Sequence, residues 1–233
     1  MFFYKNRKKI DFSGIKEPII LFMLFFLPGF ISQNQIFDGS VFNSLQFNLI
    51  YIITIIPRIL LILYLVEKKP TQKRELYGIG RLRGRDLLTS LLYFAGIMLI
   101  VGVTGMIFGL ITSIANFDEV ASPLWQFNNL SLIPIIFLTC LTTGYSEELF
   151  FRSYLLTEFF LPGKEIYAVT VTSLVFASGH IYQGFIGFLG TFVIGFFLGI
   201  MFIRKRNLHS IAIAHGLYNF SILILSGAAS LFT

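Results

Sequence analysis

From Leu45 to Val66 the chain runs through 22 residues with a single charge, Arg58. A helix of about 20 apolar residues crosses a hydrocarbon core roughly 30 Å thick. Within lipid, only helices and closed barrels satisfy their own backbone. Further apolar runs at about 18–36, 87–113, 131–157, 166–181, 185–203 and 208–228 bring the candidate spans to seven. Pro28 and Gly29 interrupt the first, which turns polar over Ser32 to Gln35; the fifth is short and ends in Gly179-His180. The fold expected is an all-α, polytopic membrane helical bundle of about seven transmembrane helices, between six and eight. Only 13% of residues are charged, half the share of a soluble domain at about 25%.

The remaining charges assign sidedness. With the N-terminus inside, segments 1–17, 67–86, 158–165 and 204–207 hold five, seven, one and three Lys or Arg, together 16 of the 18. The opposite loops carry Asp38, Asp118 and Glu119 and no base. This positive-inside pattern predicts a cytoplasmic N-terminus and an extracytoplasmic C-terminus. It also accounts for the net charge of +6 without nucleic acid. The basic front (Lys5, Arg7, Lys8, Lys9) before an apolar run resembles a signal peptide, but no small-x-small cleavage site follows, so it reads as a retained helix. The basic loop 67–86 suits contact with anionic headgroups or acts as a topology determinant alone. Arg58 lies inside the second span, either snorkelling to the interface, the reading slightly favoured, or partnering a buried carboxylate. The lone Cys140 excludes an internal disulfide. Three stretches result: a basic N-terminus (1–17), N-terminal membrane helices (18–129) and a helical core with the polar residues (130–228).

Ionisable residues inside a membrane are costly and are functional candidates by default. Here they collect in the second half: Glu147, Glu148 and Arg152, then His180, then His215 and Asn219. Glu148 and Arg152 are four apart on one helical face and can pair. Glu147 lies about 100° round the helix, free to act as a general base. His215 and Asn219 repeat the spacing of four, as do Phe176 and His180, where the phenyl ring packs on the imidazole. At about 1.5 Å per residue, the polar groups of all three helices reach compatible depths near mid-bilayer. A Glu–Arg pair alone is often a clamp, and a lone histidine is often a hydrogen-bonded core residue. Together the residues form a hydrolytic set: a carboxylate to activate water, an imidazole to share the proton, and an imidazole and an amide for an oxyanion. His209, following Arg204 to Arg206 and off the face of His215, reads as a surface residue.

These residues carry a resemblance. Glu147 to Arg152 (EELFFR) matches EExxxR, Phe176 to His180 (FASGH) matches FxxxH, and His215 to Asn219 (HGLYN) matches HxxxN. In this order on successive membrane helices they resemble the CPBP family of CAAX prenyl endopeptidases and bacteriocin-processing (Abi-like) enzymes, over roughly residues 130–225. The resemblance implies an intramembrane endopeptidase acting on a hydrophobic or lipidated peptide, prenylated or a bacteriocin-type precursor; the strongly apolar, loop-poor chain suits a bacterial plasma membrane. It implies catalytic roles for Glu147 and His180 on water and for His215 and Asn219 on the oxyanion, with Glu148, Arg152 and Phe176 in support. Glu, His and His would also make a zinc set, but HExxH is absent, and the expectation is no tightly bound metal or other cofactor. The alternatives are a non-proteolytic immunity or scaffold protein of the same fold and a proton-coupled transporter; the absence of an inverted repeat disfavours the transporter.

Overall fold

The computed structural model describes residues 12–26, 39–115, 129–159 and 163–229. Lys5 to Lys9, the Pro28-Gly29 break, Ser32 to Gln35 and the acidic residues Asp38, Asp118 and Glu119 lie outside them. The regular elements among the described residues are all helical, with no strand. The long elements are α1 (Phe12–Phe25), α2 (Leu45–Glu67), α3 (Gly84–Ala115), α4 (Ile133–Glu148), α5 (Glu165–Ser178), α6 (Gly184–Lys205) and α7 (Leu208–Ala229). α4 does not stop at Glu148. It continues as a π-helical segment, Leu149–Leu155, and a last turn, Leu156–Phe159.

Five of these are long and apolar enough to cross a membrane: Leu45–Glu67, Gly84–Leu110, Leu130–Phe159, Ile181–Lys205 and Leu208–Leu225. The expected fifth span is a helix of 14 residues, Glu165–Ser178, about 21 Å long and so short of a full crossing. At the expected first span, the described helix is Phe12–Phe25, also 14 residues.

Described residues of the four basic segments meet at one end of the bundle. Lys69 pairs with Glu17 of α1 at 3.1 Å and approaches Glu158 at the end of the α4 rod at 3.6 Å. The Tyr154 hydroxyl donates to Glu17 and that of Tyr77 to Glu158. Arg206, in the turn between α6 and α7, donates to the Leu76 carbonyl at 2.9 Å, and Leu208 N donates to Gly78 O at 3.0 Å. Gly78 has φ +67, and a Cβ there would stand 2.7 Å from the Arg206 backbone. Only glycine combines that left-handed turn with so close an approach. The loop is therefore a plug folded into the bundle end, with Tyr77 fully buried.

The core between helices rests on small and polar contacts. A Cβ on Gly144 of α4 would lie 2.7 Å from Gly216 N of α7, and one on Gly216 would lie 2.8 Å from Leu141 Cα. In lipid, where burying apolar surface drives little association, such small-residue contacts hold helices together. Asn48 of α2, fully buried, donates to the Phe42 and Ser44 carbonyls at 2.8 Å and accepts from Thr139 of α4 at 2.9 Å. This polar clasp lies in the half of the chain where sequence spacing points to no polar contact.

Candidate active site

Glu148 is the hub of the cluster. Its side chain is fully buried, and Oε1 accepts from Arg152 Nη1 at 2.8 Å, as the spacing of four predicts. The same oxygen accepts from His215 Nδ1 at 2.8 Å, a contact between α4 and α7 that spacing does not reveal. A carboxylate only accepts, so Nδ1 carries a proton and the tautomer is fixed from the Glu148 side. Glu148 Oε2 and Arg152 Nη2 are buried without a hydrogen bond. The Arg152 guanidinium instead lies over the Phe176 ring, 4.2 Å from its centroid. Across from it, a Cβ on Gly195 of α6 would come within 2.8 Å of Nη2 and 3.0 Å of Phe176. Gly195 is thus part of the cluster, and its signal was the small-xxx-small pair with Gly199.

Glu147 is neither paired with Arg152 nor sealed. Its side chain is 18% exposed, and Oε2 lies 3.6 Å from His215 Nε2. The expectation that adjacent glutamates point apart needs refinement. They approach opposite nitrogens of one imidazole, Glu148 on Nδ1 and Glu147 near Nε2. The ring is narrow enough for both carboxylates to reach it despite their turn of about 100°.

His180 is not on a helix. α5 ends at Ser178, and His180 N donates to the Ala177 carbonyl at 2.8 Å in the turn before α6. Its Nδ1 donates to the Phe176 carbonyl at 3.3 Å, which leaves Nε2 as the basic nitrogen. The Phe176 ring lies 5.1 Å from the His180 ring and 5.8 Å from that of His215. One phenyl thus spaces both imidazoles, and His180 lies within the electrostatic reach of Glu147 and His215. Asn219 sits one turn beyond His215 on α7, half-buried. Its side chain makes no hydrogen bond to another described residue.

One reading changes. His209 is not a free surface residue: Nε2 donates to the Gly80 carbonyl at 2.8 Å, and Nδ1 accepts from the Tyr145 hydroxyl at 3.0 Å. It clasps the folded-in loop to α4, an environment invisible without knowing that the loop turns inward. Arg58 faces α1. Its guanidinium lies 6.0 Å from the centroid of Phe25, eight residues and about 12 Å deeper along α1 than the Glu17–Lys69 pair.

Among the described residues, no three His, Cys, Asp or Glu side chains gather into a metal-holding group. His215 spends Nδ1 on Glu148 and His180 spends Nδ1 on a carbonyl, so each offers only Nε2 to any further ligand.

Residues 129–221 match the model of a family described as type II CAAX prenyl endopeptidase Rce1-like. The matched segment contains Glu147, Glu148, Arg152, Phe176, His180, His215 and Asn219, and agrees with the resemblance carried by the three motifs. No match to a curated protein or to a solved structure was found.

Proposed function

We propose that the Rce1-like segment makes this chain an intramembrane endopeptidase, hydrolysing a peptide bond in a lipidated or hydrophobic substrate anchored in the same bilayer. One observation carries this reading. Of two adjacent buried-site carboxylates, one is committed to an arginine and a histidine while the other remains open beside an imidazole. A purely structural clamp needs only the first.

In this reading Glu147 and His180 accept the proton of a water as its oxygen adds to the scissile carbonyl. His215 and Asn219 donate to the resulting oxyanion. The proton returns to the departing amine as the C–N bond breaks. Charge bookkeeping supports the division. Arg152 and Glu148 cancel, so Glu147 and His215 together approach neutrality by sharing one proton beyond the Nδ1–H. Held on Nε2, that proton is the donor for the oxyanion, while the proton taken from the water is the one returned to the leaving amine. Glu148 keeps the imidazole oriented throughout. Glu147 works here as a base, with no resident metal and no other cofactor.

The chain is placed as a multi-pass protein of a bacterial plasma membrane, with the basic end cytoplasmic. The test is purified protein in nanodiscs given matched prenylated and unprenylated peptides. Cleavage is expected with the lipidated or hydrophobic peptides, lost in Glu147→Gln, His180→Ala and His215→Ala, and unaffected by chelator. Loss on chelation with rescue by zinc would replace the glutamate base with metal chemistry. Full biological activity of Glu147→Gln would turn the assignment to a binding protein of the same fold.

A further inference from the structure

At the basic end, the plug, the start of α3 and the turn between α6 and α7 frame a cavity of about 290 Å³. That is the lower end of the range for ligand-holding clefts, about 300–1,000 Å³. Arg81, Arg83, Arg85, Lys205 and Arg206 line it against two carboxylates, Glu75 and Asp86, a formal balance of +3.

One set of these groups builds the cavity and another is left unspent. Asp86 is buried and doubly used: Oδ1 accepts from Asn207 at 2.7 Å and Oδ2 from Arg83 N at 2.8 Å. Arg206 donates to the Leu76 carbonyl and to the Thr157 hydroxyl, and His209 holds the Gly80 carbonyl. The side chains of Arg81, Arg83 and Lys205 make no hydrogen bond or ion pair with another described residue, and Arg85 reaches Asp86 only at 4.0 Å. Bases that served topology alone would need to lie on this side of the membrane, with no hollow between them. Like charges converging on a shaped cavity, with the nearest acid already used, fit an anion. Location narrows the choice. The cavity reaches Asp86, in the first turn of a helix long and apolar enough to span. Leu82, between two of the arginines, and Leu87 and Leu88, directly after Asp86, are exposed. The cavity therefore lies where the chain passes from basic to apolar, the level of lipid headgroups. Guanidinium forks suit phosphate oxygens, and a lysine adds a point charge.

We propose that this cavity is a discrete binding site for an anionic phosphate group, of the kind a phospholipid headgroup presents at the basic face. The site is independent of the peptidase reading, since none of its residues belongs to the cluster around Glu148.

The test titrates the full chain in mild non-ionic detergent with short-chain phosphatidylglycerol, and in parallel with inorganic phosphate, reading bound ligand and the thermal midpoint. Phosphatidylglycerol is expected to saturate one site and raise the midpoint. Arg83→Gln/Lys205→Gln should weaken it about 10- to 100-fold. Lys68→Gln/Arg204→Gln removes the same charge from exposed positions outside the cavity and should change affinity by less than about twofold. Equal weakening by the two pairs, or binding that never saturates, would overturn the proposal and leave the bases as a diffuse belt. A second measurement needs no variant: photoreactive phosphatidylglycerol on the unaltered chain should label residues 75–86 and 205–209. Labelling spread evenly over the whole basic face would also overturn the site. Competition by inorganic phosphate at concentrations similar to the lipid's would uphold the site with a soluble phosphate as its source. Competition only at far higher concentrations upholds it with the headgroup as its source.

Discussion

α3 and α7 are both apolar helices of membrane length, yet they have different surroundings. The spanning window of α3 has a mean hydropathy of 2.3, with 6% of its residues buried; that of α7 has 1.5, with 39% buried. α3 turns Leu88, Leu92, Leu99 and Met106 outward. α7 buries Ile211, Ala212, Ala214 and His215. The less hydrophobic helix is the more enclosed, the inverse of a soluble protein, because lipid solvates leucine as well as a neighbouring helix does. α3 is instead held locally. Its Asp86 accepts from Asn207 at 2.7 Å, and a Cβ on its Gly96 would lie 2.9 Å from the Phe197 ring. Polar and small residues decide which helices are interior, and the candidate site lies among them.

Substitutions that respect this contrast should sort by region. The largest effect belongs to Glu147→Gln, expected to reduce peptide cleavage by about 10²- to 10⁴-fold with the thermal midpoint of the protein nearly unchanged. A midpoint that collapses with activity would make Glu147 structural. Next is Arg152→Met, which strands Glu148 as a buried charge and should cost about 3–5 kcal/mol of stability. The double variant Arg152→Met/Glu148→Leu should recover much of that stability and none of the cleavage, since His215 loses its anchor. Recovery of cleavage would show that the hub at Glu148 is dispensable. Gly195→Ala is expected to cost about 1–3 kcal/mol through overpacking against Arg152 and Phe176, measured by denaturation in mild detergent. At the bottom, Leu99→Ala on the lipid face of α3 should change stability by less than about 0.5 kcal/mol. A loss of 2 kcal/mol or more there would mean that α3 has a partner in the membrane.

The same contrast explains what could be read without coordinates. The spans were legible because a long apolar run leaves few alternatives, and the basic loops were legible as one end of the bundle because 16 of 18 bases fall in them. Glu148 and Arg152 were legible as a pair because both lie on one helix. The bond from Glu148 to His215 was not, because which face of α4 meets α7 is set by Gly144 and Gly216, and glycines are scattered through these helices. The Asn48–Thr139 clasp, the inward fold of loop 67–86 and the hydrogen bond of His209 to it share that cause. Each depends on which helices are neighbours, and nearly uniform apolar surfaces encode that weakly. His180 was placed on a helix because its spacing from Phe176 suits one. The helix stops at Ser178, yet the Nδ1 contact to the Phe176 carbonyl preserves the pairing.

The π-helical segment from Leu149 to Leu155 gives the α4 rod two separately phased halves. A wider turn accommodates one more residue in nearly the same rise, so the helix beyond it is rotated relative to the helix before it. Upstream, the phase is dictated by carboxylates that must meet α7; downstream, by Thr157 and Glu158, which must meet the plug. Deleting one residue inside the segment would restore an even pitch and force a choice between those two alignments. α4 then works as a coupling with a built-in offset, and the candidate-site end and the basic end can each be tuned by mutation without turning the other out of register.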